Sequence, residues 1–278
     1  MTSSLHDSAV LLRSLHVPGR PLILPNAWDV ATARLAEDAG ASAIATTSAG
    51  AAWALGAADG DRLDRDRALD LVARIAAAVE VPVTADIESG YADEPDGVGE
   101  TVRGVLAAGA VGINLEDARY DGDAPLRAPA EQAERIAAAR AAADAAGVPL
   151  YLNARIDTYL RQVGDPATRL RDTLDRAAVY LAAGADGVFV PGTLDPEVLS
   201  ALVAGVDAPL NVLVGPGAPA VPALAALGVA RVSAGSSIAV AAYALAARSA
   251  RELLTDGTTT SLTGDLGYAD LNALLARP

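Results

Sequence analysis

The chain is 278 residues long, with 35 acidic against 21 basic side chains, a formal charge of −14 and no cysteine; lysine is also missing, so every basic residue is arginine, and the only histidines are His6 and His16. These absences exclude Schiff-base catalysis, thiolate nucleophiles and Cys/His zinc sites, and they weigh against a Ser-His-Asp triad. The negative balance weighs against nucleic acid or an anionic membrane as partner, which leaves carboxylates, arginine, hydroxyls, backbone amides and a hard cation to carry any chemistry.

At 52% hydrophobic and 4% aromatic residues, the chain can bury a large core of small side chains, and its length suits one α/β barrel better than two small domains. No apolar stretch is long enough to span a bilayer. Residues Met1–Asp7 lack the basic start and apolar block of a signal peptide, so a soluble cytoplasmic protein is expected.

Short apolar runs of β type alternate eight times with longer, alanine-rich segments of helical period. The runs are Leu22–Ala27, Ala43–Ser48, Val81–Glu88, Gly112–Asp117, Leu150–Asp157, Gly187–Gly192, Leu210–Val214 and Arg231–Gly235. Helices are expected between them, among others at Val30–Ala39, Arg65–Val79, Ala130–Ala146 and Ala167–Ala183. Gly40, Gly109 and Gly184 each sit in an Ala-Gly-Ala joint, where glycine can cap a helix in the left-handed conformation before the next strand. Eight repeated βα units predict a parallel sheet closed into a single-domain (β/α)8 barrel over residues 1–278. The alternative is an open doubly wound sheet, against which the first strand offers no GxGxxG turn. Beyond the eighth run a helical extension is expected over about 238–278. It comprises Ile238–Leu254, a Thr/Gly-rich turn at 256–263, and a short helix near Tyr268–Ala276.

The carboxyl ends of barrel strands carry function, and the unusual residues collect there. Strand alternation places Asp86 and Glu88 on one face at the end of the third run, and Asn114 and Glu116 on one face of the fourth. The fifth run, Asn153-Ala154-Arg155-Ile156-Asp157, presents Asn153, Arg155 and Asp157 together; the seventh adds Asn211. Thr47, Ser48 and Asp59 follow the second run. Any single acid here could be half of a buried ion pair with Arg155. So many acids and asparagines beside one arginine at a single mouth are harder to explain as structure alone. Asp29 reads as a helix N-cap and Trp28 as core or pocket wall.

These residues together resemble the isocitrate lyase/phosphoenolpyruvate mutase superfamily. The matching pieces run in order along nearly the whole chain: Pro25–Asp29, the Thr46–Gly60 stretch, Ala85–Tyr91, Gly112–Asp117, Asn153–Asp157 and Ser233–Ser237. The resemblance implies a barrel whose eighth helix swaps onto a neighbouring subunit, in a homo-oligomer (tetramer or dimer). It implies Mg2+ held largely through water by Asp86, Glu88 and Glu116, with the family's further acid at Asp59; oxygen-only ligands would suit Mn2+ as well. It also implies that the amides near Thr47 and Ser48, with Arg155, hold the substrate carboxylate, in a pocket that Trp28, Asn153 and Asn211 help to line.

The third strand reads Asp-x-Glu where the family has Asp-x-Asp. The loop 118–127 lacks the Lys-Lys-Cys-Gly-His segment of isocitrate and methylisocitrate lyases, so those two activities are not expected. The expectation is a Mg2+-dependent lyase or decarboxylase that breaks a C–C bond in an oxaloacetate-like or alkylmalate-like acid through a pyruvate-type enolate, with Tyr91, Tyr120 or Asp59 as candidate base. The alternatives are P–C chemistry, as in phosphoenolpyruvate mutase or phosphonopyruvate hydrolase, and a non-catalytic ligand-binding barrel.

Overall fold

The structure, a computed structural model, describes residues 4–276. Eight parallel strands run in the order β1-β8-β7-β6-β5-β4-β3-β2: β1 Leu22–Leu24, β2 Ile44–Ala45, β3 Val83–Asp86, β4 Gly112–Glu116, β5 Tyr151–Arg155, β6 Gly187–Phe189, β7 Leu210–Leu213 and β8 Arg231–Ser233. A parallel bridge between Ala27 and Thr46 joins β1 to β2, so the sheet closes on itself and the open doubly wound alternative is excluded.

The helices are α1 Leu5–Ser14, α2 Val30–Asp38, α3 Ser48–Ala54, α4 Arg65–Ala78, α5 Pro95–Ala107, α6 Pro129–Ala145, α7 Arg169–Ala182, α8 Pro196–Gly205, α9 Val221–Ala226, α10 Ser237–Thr255 and α11 Tyr268–Leu275. Their punctuation is local. Asp29, Asp64 and Asp195 cap α2, α4 and α8 through their side chains, and proline opens α5, α6, α8 and α9, where its missing N–H costs nothing. Gly40, Gly109 and Gly184 adopt φ of +94°, +91° and +109°, the left-handed caps expected of the repeated joints.

Strands sandwiched between the lumen and the outer helices are buried on both faces, and every residue of β4 is buried. The exception is β1, whose outward Ile23 is 52% exposed. An eighth barrel helix would lie over it, but α10 runs outward instead, with Ala239 as its buried residue and Tyr243 edge-on to Trp53 of α3. The chain then turns, and α11 lies against α2. At the opposite end α1 plugs the barrel: Leu12 packs at Gly112, and His16 stacks on Tyr151 at 3.7 Å. No described helix is long and apolar enough to cross a membrane.

Several strands end earlier than their apolar runs. Thr47 and Ser48 start α3 instead of finishing β2, because Thr47 turns its hydroxyl to the Gly50 N–H as an N-cap. The third strand stops at Asp86, two residues short of Glu88.

Candidate active site

Asp86, the last residue of β3, is the centre of an acidic mouth. Its Oδ2 accepts hydrogen bonds from Ser48 Oγ (2.9 Å) and Ser48 N (3.3 Å), and its own N–H donates to Thr46 Oγ1 (2.8 Å). The Ser48 amide, expected to face a substrate carboxylate, is therefore engaged by Asp86. The Thr47 amide is engaged too, by Ala27 O at 3.0 Å.

The same-face pairing of Asp86 and Glu88 expected from strand alternation does not hold. Beyond Asp86 the chain leaves the strand, and Glu88 takes φ +50°. Its buried carboxylate is turned toward the loop after α3, where Asp61 N donates to Oε2 and Tyr91 OH donates to Oε1 at 3.4 Å. Asp61 answers by accepting from Ser89 Oγ and Ser89 N. Asp61, Glu88 and Tyr91 all have left-handed φ of +50° to +55°, a conformation that costs non-glycine residues of order 1–3 kcal/mol each and clusters at functional sites. The buried guanidinium of Arg135 holds this turn by donating to the carbonyls of Ser89, Ala92 and Asp93.

Glu116, at the end of β4, accepts from Tyr120 OH, and its other oxygen meets Arg155 Nη1 at 2.5 Å. Arg155 is already gripped: Nε and Nη2 fork onto Asp157 Oδ1 and Oδ2 at 2.7 and 2.8 Å. The Tyr120 ring sits against Gly60, whose missing side chain makes the approach possible, and Arg161 lies 4.7 Å over the ring. Behind the mouth, Asp117 binds Arg176 Nη1 and Tyr180 OH, both at 2.9 Å. That buried pair is structural.

The electrostatics are unbalanced. Asp59, Asp61, Asp86 and Glu88 have no arginine or histidine within ion-pair distance among the described residues. Burial pushes Glu88 up to about 7, with Asp61, Asp86 and Asp59 adding to the rise against the Asp61 N–H. Asp59, on the solvent side of the mouth, is raised by the surrounding protein and by Asp86, which outweigh Arg155. Burial raises Glu116 despite Arg155. For Arg155, burial opposes the charge but Glu116 and Asp157 outweigh it. The phenols of Tyr91 and Tyr120 are both held far above the ordinary value by burial and the acids around them. Both are therefore hydrogen-bond donors near neutral pH.

A group raised in the folded state stabilises the fold only below its unfolded value, and that contribution is lost as pH climbs through the raised one. Metal-free protein is therefore expected to lose Tm between about pH 4.5 and 7 as Glu88 ionises. A flat Tm over that window, read by scanning calorimetry in EDTA, would count against the buried acid cluster.

The remaining sequence-chosen residues form floor and wall. Asn153 Nδ2 donates to Asn114 Oδ1 (2.9 Å) and Asn211 Oδ1 accepts from Ser233 Oγ (3.2 Å); both asparagines are buried in the lumen. Trp28 is buried against Gly50 of α3. Asp61 and Ser89 escaped the sequence reading, although Asp61 directly follows the Asp59-Gly60 pair. So did the floor residue Arg231, whose only signal is a charge opening an apolar run. A cleft of about 660 Å³ lies on the flank, lined by Asp61, Ser89, Tyr91, Tyr120 and Arg127; Asp86, Glu116 and Arg155 lie outside it.

A cation is the natural complement to these acids. Among the described residues no three acids converge closely enough to hold an ion by themselves; a hard cation such as Mg2+ needs only one or two carboxylates and keeps several waters. A barrel with such a mouth, in which Asp86, Glu116 and an anchored arginine meet, has the makings of an enzyme that handles small carboxylic acids. The phosphoenolpyruvate phosphomutase family matches residues 12–254, and the chain belongs to it, within the isocitrate lyase/phosphoenolpyruvate mutase superfamily. A Burkholderia cenocepacia protein described as a candidate lyase/mutase is 42% identical, with a TM-score of 0.91 over 99% of this chain and 97% of that one. The 2-methylisocitrate lyase of Salmonella typhimurium is 31% identical over 191 residues, 67% of this chain and 63% of its own. Phosphonopyruvate hydrolase, solved with oxalate and Mg2+, is 25% identical with a TM-score of 0.82, covering 96% and 94% of the two chains. These relatives are lyases, mutases and hydrolases of one superfamily, and the chain is an enzyme of that type.

Proposed function

We propose that the protein is a Mg2+-dependent lyase that breaks a C–C bond next to a carbonyl in a small oxaloacetate-like or alkylmalate-like acid. The observation that carries this reading is the pair Asp59 and Asp86, which lacks an arginine partner yet shares the barrel mouth with Arg155, with Glu88 buried behind it in the turn after β3. Asp86 would hold the ion directly, and Glu88, Glu116 and Asp59 would hold its waters. When bound, Mg2+ supplies the charge that stabilises an enolate-type oxyanion. Arg155, fixed by Asp157 and Glu116, orients the acid with the guanidinium edge left over from those contacts. Tyr120 and Tyr91 donate hydrogen bonds at the rim, and Asp59 takes or returns a proton.

Decarboxylation makes the smaller demand. The electrons of the C–C bond pass to the carbonyl oxygen, CO2 leaves, and a proton is delivered to carbon. Retro-aldol cleavage must first remove a hydroxyl proton, a task open to Asp59. Activity with oxaloacetate is expected to vanish in EDTA and return with Mg2+ or Mn2+; full activity in a rigorously metal-free sample would remove the mechanism. The likeness to phosphonopyruvate hydrolase supports P–C cleavage as a second reading, which phosphorus-31 spectra with phosphonopyruvate would separate.

The exposed apolar side chains of α10, Ile238, Val240, Tyr243 and Leu245, and the uncovered Ile23 support a homo-oligomer in which α10 covers the barrel of a second copy. Light scattering is expected to give a dimer or tetramer; a monomer at micromolar concentration would refute it.

A further inference from the structure

We propose that Arg231 is a positioning residue of the active site, setting the direction of the hydrogen bonds in the barrel floor and supplying positive charge to Asp86 from beneath. Arg231 opens β8 and is 0% exposed, yet no carboxylate lies within ion-pair distance of it among the described residues. Its Nη2 crosses the lumen to Asn114 Oδ1 on β4 (3.2 Å), its Nε reaches Ser233 Oγ (3.4 Å), and its Nη1 has no partner.

A guanidinium can only donate. Asn114 must therefore turn its oxygen toward Arg231, and because the same oxygen takes Asn153 Nδ2, Asn153 Oδ1 is left without a partner. On the other arm Ser233 accepts from Arg231 and passes its own hydrogen to Asn211 Oδ1, leaving Asn211 Nδ2 free. One cation thereby orients three amides and a hydroxyl.

Filling the lumen accounts for the bulk of Arg231 but not for its charge, since burying an unpaired guanidinium is costly and a methionine would occupy the same space. Among the acids of the mouth, Asp86 is the one that acts on it across the floor. Burial pulls Arg231 down to about 10, and Tyr151 and Asp86 act in the opposite sense. Asn114, which Arg231 holds, is the register partner of Asp86. His16, also facing the floor, is pushed down to about 3 by burial and by Arg231, so it adds no second charge at neutral pH.

The inference rests on reading Asp86 as the metal-holding acid. Removing a positive charge from beneath the shell should attract a cation more strongly. In calorimetric titration with Mg2+ alone, Arg231→Met is expected to bind about 3–10-fold more tightly than the wild type, and Arg231→Lys within about twofold of it. A filler that merely supports the site predicts the reverse, and a folded Arg231→Met that binds Mg2+ equally or more weakly overturns the proposal.

Asn114→Asp supplies an arm that needs no metal. Because both neighbours of Asn114 Oδ1 are donors, a carboxylate there pairs with Arg231, and the Tm of the metal-free variant is expected to match or exceed that of the wild type. A fall of more than about 5 °C, roughly 2–3 kcal/mol for a chain of this size, means that the floor bonds do not run as assigned and overturns the proposal. Failure of the wild type to bind Mg2+ would instead sink the metal reading, with Asn114→Asp still deciding the role of Arg231.

Discussion

Asp86→Asn is expected to lower Mg2+ affinity by about 100-fold or more, and turnover by at least as much, since substitutions around a metal's ligands already cost about 10–100-fold. The substitution keeps the shape of the side chain. An amide oxygen can still accept from Ser48 Oγ and N, the contacts that fix Asp86 at 2.9 and 3.3 Å. What it removes is one negative charge from a group that also holds Asp59, Glu88 and Glu116, all three raised in part by Asp86 itself. Without metal that charge is a repulsion, so the variant should be at least as stable as the wild type in EDTA. With metal the order reverses: Mg2+ should raise the Tm of the wild type and barely move that of Asp86→Asn. Thermal scans with and without Mg2+ separate the effects, and an equal Mg2+-induced rise in both proteins would show that Asp86 is not the residue that holds the ion.

The barrel was legible because its signals are local. Short apolar runs, helical alanine-rich segments and the glycines at 40, 109 and 184 each depend on neighbours within a few residues, and the eight-fold repetition made the closure readable. Asp86, Glu116 and Arg155 were legible for a related reason: each is the last residue of its strand, where alternation still governs direction. Glu88 shows where that rule ends. The pattern Val83–Glu88 reads as continuous, but the chain turns at Ile87, where Gly90 N closes back on Ile87 O at 2.7 Å, and Glu88 swings to the loop after α3. The partners that hold it there, Asp61 and Ser89, form a clamp that is 27–28 residues apart in sequence and has no periodic signature. Arg231 was hidden differently. A charge in an apolar run suggests an ion pair, and only the folded lumen reveals that its partners are an amide 117 residues away and a hydroxyl 2 residues away. The departure of α10 was implied by resemblance alone, because its sequence has the amphipathic content of any barrel helix.

Arg155→Lys is expected to lower kcat/KM by roughly 2–4 kcal/mol of transition-state stabilisation while leaving Mg2+ affinity within a few-fold of the wild type. The fork that a planar guanidinium offers is committed to Asp157, with Nη1 on Glu116, so under the proposed role the substrate would meet an arginine already locked in place. Lysine keeps the charge but cannot grip Asp157 through two parallel bonds and reach Glu116 at the same time. Its ammonium would be drawn to one carboxylate or the other, leaving Asp157 or Glu116, 0% and 1% exposed in their side chains, with a weakened partner. A stability loss of about 2–4 kcal/mol is therefore expected as well, toward the lower end of what breaking a buried pair costs, because the charge remains. Asp157→Asn is the control. It frees the fork without removing the guanidinium, and it also weakens the carboxylate partner that Arg161 Nε has at 3.6 Å. If Arg155 touches the reacting acid, Asp157→Asn should loosen its aim and cost kcat/KM clearly less than Arg155→Lys at comparable loss of Tm. Equal losses of kcat/KM in the two variants, or Mg2+ binding disturbed by Arg155→Lys as severely as by Asp86→Asn, would reduce Arg155 to a structural counterion of Glu116 and Asp157 and require another group to hold the substrate carboxylate.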